Sequence, residues 1–186
     1  MQIAVDQNLI LHQMDVKSAY LHADIKEQVY MSPPKGYEVE GKVWRLKKSL
    51  YGLKQSGRNW HHLLHDYLVK LDFVQSSGDP CLYIKRNGDE VLILLVWVDD
   101  IILGSSSTRV LNDMKQKLAL KFSMKDLGKL SMFLGIKFEQ HDGCISMSQS
   151  HYLENVLKVF GMQDCKPRST PCEINMNCYS QSQTVT

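Results

Sequence analysis

The sequence predicts an α+β fold, an antiparallel sheet with helices packed on one face. Short Val-, Ile- and Leu-rich runs recur along the chain, two intervening segments switch to helical spacing, and turn signals separate neighbouring runs. The strongest of these signals is "VLILLVWVDDIILG" at 91–104. Eight apolar residues, Val91 to Val98, run into Asp99 and Asp100, and Ile101 to Gly104 return to apolar character. Each half is short and β-branched, so the stretch reads as a buried hairpin with two carboxylates at its tip. Asp-Asp is a poor turn pair, because positive φ favours Asn-Gly or Asp-Gly and adjacent like charges repel. Something beyond the local turn must be invoked, and a divalent cation is the natural candidate.

Taken in order, Leu9 to Val16 reads as a strand with Asp15 at its end. Val29 to Met31 is a short strand stopped by Pro33 and Pro34, with Val43 to Leu46 as its partner. Leu50, Leu53, Trp60, Leu63, Leu64, Tyr67, Leu68 and Leu71 suit a helix from Trp60 onward, while Gly52 and Gly57 disfavour one before it. Tyr83 to Lys85 and Val91 to Val98 pair across "RNGD", with the turn at Asn87–Gly88. Ser107 to Phe122 is a second amphipathic helix, with Val110, Leu111, Met114 and Leu118 inward. "FLGIKFEQHDGCISMSQ" is a hairpin turning at Asp142–Gly143, and Tyr152 to Phe160 is a last helix closed by Gly161. Residues 1–171 form the expected folded region. Residues 172–186 lack apolar periodicity and form an expected disordered polar tail.

At 186 residues, with 44% hydrophobic and 23% charged content, the chain suits one domain with a sizeable core. A net charge of +2 does not by itself announce nucleic-acid binding. Its distribution says more. Between Gly41 and Leu64 stand Lys42, Arg45, Lys47, Lys48, Lys54 and Arg58 with no acid among them, a stretch suited to a phosphate backbone or to a solvated basic face. Five cysteines without a Cys-x-x-Cys pair argue against a disulfide framework or a zinc site, and for a reducing compartment. The amino-terminal stretch carries Asp6 and no basic run, unlike a signal peptide. No apolar run reaches the roughly 18 residues of a membrane helix, so the expectation is a soluble intracellular protein without a membrane partner.

A single antiparallel sheet could set Asp15 beside the Asp99–Asp100 hairpin. Three carboxylates converging in a dry pocket need a cation, since unpaired buried charges cost several kcal/mol each. Two Mg²⁺ ions about 3.5–4 Å apart would neutralise them and support in-line phosphoryl displacement. Taken singly, these residues have blander readings. Asp15 could end a strand and Tyr20 could be a core aromatic. Gln55 and Arg58 could be solvated, and Trp97 could pack within the sheet. His61 and His65 in "HHLLH" lie one helical turn apart, but His62 stands where a His-Glu-x-x-His motif has glutamate, so a helix surface is the simpler reading.

Four blocks, "QMDVKSAYLHADIKEQVYMSPPKGY", "VWRLKKSLYGLKQSGRNW", "LLVWVDDIIL" and "MKDLGKLSMFLGIKFE", occur in this order between Gln13 and Glu139, within a likeness that covers residues 9–171. Together they resemble the reverse transcriptases of copia-type LTR retrotransposons. The resemblance implies a right-hand polymerase palm with fingers largely missing and the thumb and connection partial. It implies RNA-directed DNA polymerase activity on an RNA or DNA template-primer with dNTPs. Two Mg²⁺ ions, or Mn²⁺ in their place, are implied as cofactors, with the remainder of a Gag-Pol-type polyprotein as partner. Asp15, Asp99 and Asp100 match the family's metal-binding aspartates, with the Val16 backbone beside them. Tyr20 matches the steric gate against a ribose 2′-OH. Gln55 matches a glutamine at the incoming nucleotide, and Lys125 a lysine that protonates pyrophosphate. Leu134, Gly135 and Ile136 match the primer grip. Arg58 and the other basic residues would contact phosphate or template.

One departure is Trp97, where the family's box has Tyr: the aromatic platform survives and the phenolic hydroxyl is lost. The resemblance also implies a cytoplasmic retroelement particle, the nucleus, or both as location. It leaves oligomeric state open. With so much of the substrate clamp lacking, the isolated chain is expected to polymerise weakly or not at all, and robust primer extension by it would refute that. The competing expectation is a truncated, catalytically inactive remnant with at most nucleic-acid binding. A palm-fold nucleotidyl cyclase shares the metal chemistry but lacks the "SLYGLKQSGR" block.

Overall fold

In the computed structural model, which describes residues 1–88, 90–141 and 143–170, the apolar runs pair as antiparallel ladders. In chain order the elements begin with α1 (Gln2–Asp6), β1 (Ile10–Val16), α2 (Ala19–His22), β2 (Tyr30–Met31), β3 (Trp44–Arg45) and α3 (Ser56–Lys70). Next come β4 (Val74–Gln75), β5 (Leu82–Asn87), β6 (Glu90–Trp97), β7 (Asp100–Ser105) and α4 (Thr108–Lys121). The last are β8 (Met124–Lys129), β9 (Met132–Phe133), β10 (Ile136–His141), β11 (Cys144–Ser148) and α5 (Ser150–Val159). The chain divides into a unit spanning Met1–Ser148 and a second beginning at Gln149.

The main sheet of the first unit has six strands in the order β4-β5-β6-β7-β1-β8. Its central ladders are long because β6 and β7 are β-branched and Leu-rich, which suits a pleated and buried surface. Alternation then sorts the faces. Met14, Val16, Leu92, Leu94, Val96, Ile101 and Leu103 pack with Trp60, Leu64 and Leu68 of α3 and Leu111, Met114 and Leu118 of α4. The opposite face carries Leu11 and Ile102, which pack with Ala4, Leu9, Leu130, Phe133 and Phe138. The covering layer there is a three-stranded sheet, β11-β10-β9. Gln140 of β10 laces it to the main sheet, its amide bonding the Leu9 carbonyl and the Leu11 N–H.

α3 starts four residues earlier than the apolar spacing predicts, with Gly57 inside its first turn. The buried Ser56 hydroxyl bonds the Leu50 carbonyl and fixes that start. α4 agrees with expectation except that Val110 is only half-buried and Lys115 is buried. Ser107 caps it, its hydroxyl accepting from the Val110 N–H. The β5–β6 and β10–β11 hairpins form as expected, although Asp89 and Asp142 of their turns lie outside the described residues. In the second unit α5 closes with Gly161 at φ +63° and Met162 N–H bonding the Leu157 carbonyl, a Schellman arrangement. The expected polar tail, 172–186, lies outside the described residues.

β8 has no apolar alternation and escaped sequence reading. It is joined to β1 with a register shift at Gln13/Met14, where Leu127 is the extra residue on the β8 side. Buried Lys115 stabilises this edge. Its ammonium bonds Asp126 Oδ1 at 2.9 Å and reaches His12 Nδ1 on β1. Burial, then Lys115, hold the His12 imidazole below its usual 6.5. Burial pushes the Asp126 carboxyl up, but the Gly128 N–H and Lys115 outweigh it and leave Asp126 below 3.8. Both groups are depressed on folding, so the stability they contribute is present at neutral pH. It is lost as pH falls, first through the histidine and then through the carboxylate. The urea midpoint is therefore expected to drop between about pH 7.5 and 5.5 in the wild type and to drop less in His12→Gln. Equal drops in both proteins would contradict this.

His61 and His65 are held by hydrogen bonds rather than standing free on a helix surface. His61 Nε2 lies 3.3 Å from the Pro80 carbonyl, and His65 Nδ1 lies 3.2 Å from the Tyr83 hydroxyl. Burial pushes that hydroxyl up to about 12, so it stays protonated within this knot.

Candidate active site

Asp15 of β1 and Asp100 of β7 are direct partners across the ladder. Opposite residues of an antiparallel pair share a face. Because Met14, Val16 and Ile101 point to the helices, alternation places both carboxylates on the other face. There the strand changes from apolar Leu11 to polar Gln13 and Asp15.

The hairpin tip differs from the sequence expectation. The turn residues are Val98 and Asp99, and Asp100 opens β7 opposite Trp97. Val98 takes the positive φ, +55°, which is a strained conformation for a β-branched residue. Two bonds hold the strain in place: Trp60 Nε1–H donates to the Val98 carbonyl at 2.6 Å, and Val16 N–H donates to the Asp99 carbonyl at 2.7 Å. Trp60 thus does more than fill the core of α3. Its indole ties that helix to the turn carrying Asp99.

Asp100 and Asp99 each have a neutral donor. Gln13 Nε2 donates to Asp100 Oδ1 at 3.2 Å, and the Tyr51 hydroxyl lies 3.5 Å from Asp99 Oδ2. Burial raises the Asp100 carboxyl above its usual value; the Gln13 bond opposes this, and Asp99 and Asp15 push it further up. Burial, then Asp99 and Tyr20, likewise raise Tyr51, which keeps its hydroxyl a donor. Among the described residues no three His, Cys, Asp or Glu side chains are gathered as they stand to hold a metal ion. Across the other ladder Asp15 faces Lys125 of β8, an opposite-charge cross-strand pair.

Tyr20 sits in α2, just after a turn where Ser18 has φ +53°. Its ring lies 4.3 Å from that of Tyr51, and its hydroxyl is beside Gly57, where an added Cβ would stand 3.6 Å away. Tyr20, Trp60, Val96, Trp97 and Val98 line a cavity of about 240 Å³ that reaches the back of the turn. Trp97 is 55% exposed, so it presents a ring to solvent rather than packing within the sheet. Gln55 precedes α3 and accepts the Asn59 N–H through its backbone.

Other candidates lie on other elements of the fold. Leu134 and Gly135, at φ +50° and +76°, make the tight β9–β10 turn ahead of Ile136. Lys42, Arg45 and Lys47 belong to the β2–β3 excursion, whereas Lys54 and Arg58 flank the start of α3, and all are exposed. Lys48 is tied to Asp24 at 2.7 Å. Tyr37 and Trp44, exposed rings 6.1 Å apart, accompany the first basic group. Gln13 and Tyr51 escaped sequence reading. Period-two spacing from Asp15 could have found Gln13, but nothing in the spacing links Tyr51 to a residue 48 positions away.

The family model described as reverse transcriptase (RNA-dependent DNA polymerase) matches residues 1–174. The chain is 38% identical over 177 residues to the retrovirus-related Pol polyprotein from transposon TNT 1-94 of Nicotiana tabacum, covering 92% of this chain and 13% of that protein. It is 35% identical over 172 residues to the Pol polyprotein from transposon RE1 of Arabidopsis thaliana, covering 91% and 12%. The putative transposon Ty5-1 protein of Saccharomyces cerevisiae is 32% identical over 162 residues, covering 85% and 53%. The chain therefore spans only about an eighth of the two plant polyproteins. With nearly its whole length matched, the chain belongs to the reverse transcriptase (RNA-dependent DNA polymerase) family, as a copia-type retrotransposon region.

Proposed function

We propose that this chain carries the palm of an RNA-directed DNA polymerase and works within a longer polyprotein. The observation that carries the reading is the pairing of Asp15 with Asp100 beside the strained turn that presents Asp99. The residues suit hard divalent cations: three carboxylates are oxygen donors of the right type, and a desolvated Asp100 pressed by two neighbours gains from a positive charge. Asp15, Asp99, Asp100 and the Val16 backbone carbonyl would hold two Mg²⁺, or Mn²⁺ in their place. Bound there, they would lower the pKa of the attacking hydroxyl and neutralise charge on the leaving group.

The primer 3′-hydroxyl attacks the α-phosphorus of a dNTP and its proton passes to solvent water. A new P–O bond forms, and the bond to the β-phosphate oxygen breaks. Tyr20 excludes a 2′-hydroxyl by its ring, and Gln55 orients the incoming nucleotide. Lys125 gives a proton to pyrophosphate and, until then, offsets the charge of Asp15 across the ladder. Trp97 supports the primer end, and Leu134, Gly135 and Ile136 hold the primer strand. Single-nucleotide addition to a DNA primer on an RNA template, by a longer polyprotein segment that contains this chain and read in a single-turnover assay with Mg²⁺ or Mn²⁺, tests the reading. Addition of dNTP in preference to rNTP supports it. Tight template-primer binding without any addition would sink it in favour of a binding-only remnant.

That second reading draws on the exposed basic groups and on the Tyr37–Trp44 rings, since aromatic faces among cations suit single strands. Whichever reading holds, binding is expected to weaken with salt, and Arg45→Glu with Lys47→Glu to reduce the salt slope by about one unit per charge contact removed. An unchanged slope would place the nucleic acid elsewhere.

A further inference from the structure

Tyr51 belongs to no strand or helix, yet it meets two residues that the proposed reaction needs. Its ring lies on that of Tyr20 at 4.3 Å and 36°, and its hydroxyl lies 3.5 Å from Asp99 Oδ2. The backbone around it is pinned on both sides. Ser49 N–H donates to the Ala23 carbonyl at 2.9 Å, Asn59 Nδ2 donates to Ser49 Oγ at 3.2 Å, and the Ser56 hydroxyl bonds the Leu50 carbonyl. Gly52, at φ +94°, turns the chain immediately afterwards. Ser49 and Ser56 are fully buried while Tyr51 is 53% exposed. A rigid backbone thus presents a side chain at the open side of the site, which is unlike a residue kept for core packing.

We infer that Tyr51 is a positioning residue with two separable roles: its ring braces Tyr20 against the nucleotide sugar, and its hydroxyl orients Asp99 Oδ2 for a bound cation. The inference rests on the polymerase reading above. A ring that discriminates by steric clash must resist swinging away, and an offset aromatic neighbour supplies that resistance. Asp99 sits in a turn, so its side chain has no ladder to orient it. An approach of 3.5 Å is long for an O–H···O bond, and such bonds at active sites tighten when substrate is bound.

The test uses the full chain as wild type, Tyr51→Phe, Tyr51→Leu and Asp100→Asn. Mn²⁺ affinity is read by electron paramagnetic resonance. Sugar selectivity is read as the ratio of dATP to ATP binding on a dideoxy-terminated template-primer, and thermal melting is followed alongside. Tyr51→Phe is expected to weaken Mn²⁺ binding by about tenfold, the low end for a residue supporting a metal ligand. It keeps the sugar ratio. Tyr51→Leu is expected to lose the same Mn²⁺ affinity and also to cut the sugar ratio by about threefold or more. Melting should shift by only a few degrees in either variant. The inference is overturned if both variants keep wild-type Mn²⁺ affinity and sugar ratio, or if both readouts fall together in step with melting. Asp100→Asn separates the two levels of failure. If it leaves Mn²⁺ affinity unchanged, the site reading is wrong and this inference goes with it. If it abolishes Mn²⁺ binding while the Tyr51 variants behave as wild type, only the inference falls.

Discussion

Nucleotide addition by a longer polyprotein segment that contains this chain is expected to fall by at least about 10³-fold when Asp99 becomes Asn, with template-primer affinity unchanged or slightly raised. The substitution is nearly isosteric and removes a charge from a turn whose backbone is held by Val16 and Trp60, so the fold should be indifferent to it. The slight gain in affinity follows from removing a negative charge near a polyanion. Any loss therefore reports on chemistry rather than on folding. Wild-type rates in Asp99→Asn would dismiss the carboxylate as a catalytic group and leave the acidic hairpin without a chemical explanation.

The largest effect on stability is expected at Trp60. Its side chain is 2% exposed, its ring meets Phe122 edge-on at 5.1 Å, and its indole N–H bonds the Val98 carbonyl. Trp60→Ala should cost about 3–5 kcal/mol in urea unfolding, through lost burial and the cavity left behind. Trp60→Phe keeps most of the apolar contact but leaves the Val98 carbonyl without that donor, for a smaller cost of about 1–3 kcal/mol. The Phe variant should also loosen the turn, so that addition slows more than the stability change accounts for. A Phe variant as stable and active as wild type would show that the indole bond does not hold the strained turn.

These two positions show how unevenly the molecule could be read from its sequence. Strands β6 and β7 were legible because Val-, Ile- and Leu-rich runs favour a buried pleated surface, and β5 because the Asn87–Gly88 turn signal pairs it with β6. Helices α3 and α4 were legible from the spacing of Trp60, Leu64 and Leu68, and of Leu111, Met114 and Leu118. β8 was not, because an edge strand with polar faces needs only backbone partners, and its side chains carry no period. The tip of the hairpin was misplaced by one residue. Propensity argues against Val98 at positive φ, and only bonds from Trp60 and Val16 outweigh that preference.

The sequence by itself determined the α+β class, the hairpin that brings two aspartates together and, through four ordered blocks, the family. Each of these depends on local pattern: apolar period, turn residues and motif order. Tertiary structure alone decided that Asp15 faces Asp100 on one ladder and Lys125 on the other, that Gln13 and Tyr51 each serve one carboxylate, and that Trp60 supports the turn carrying Asp99. Those contacts, the Gln13–Asp100 bond among them, join residues between 38 and 110 positions apart. At such distances register and packing set the partners, and no short-range pattern encodes them.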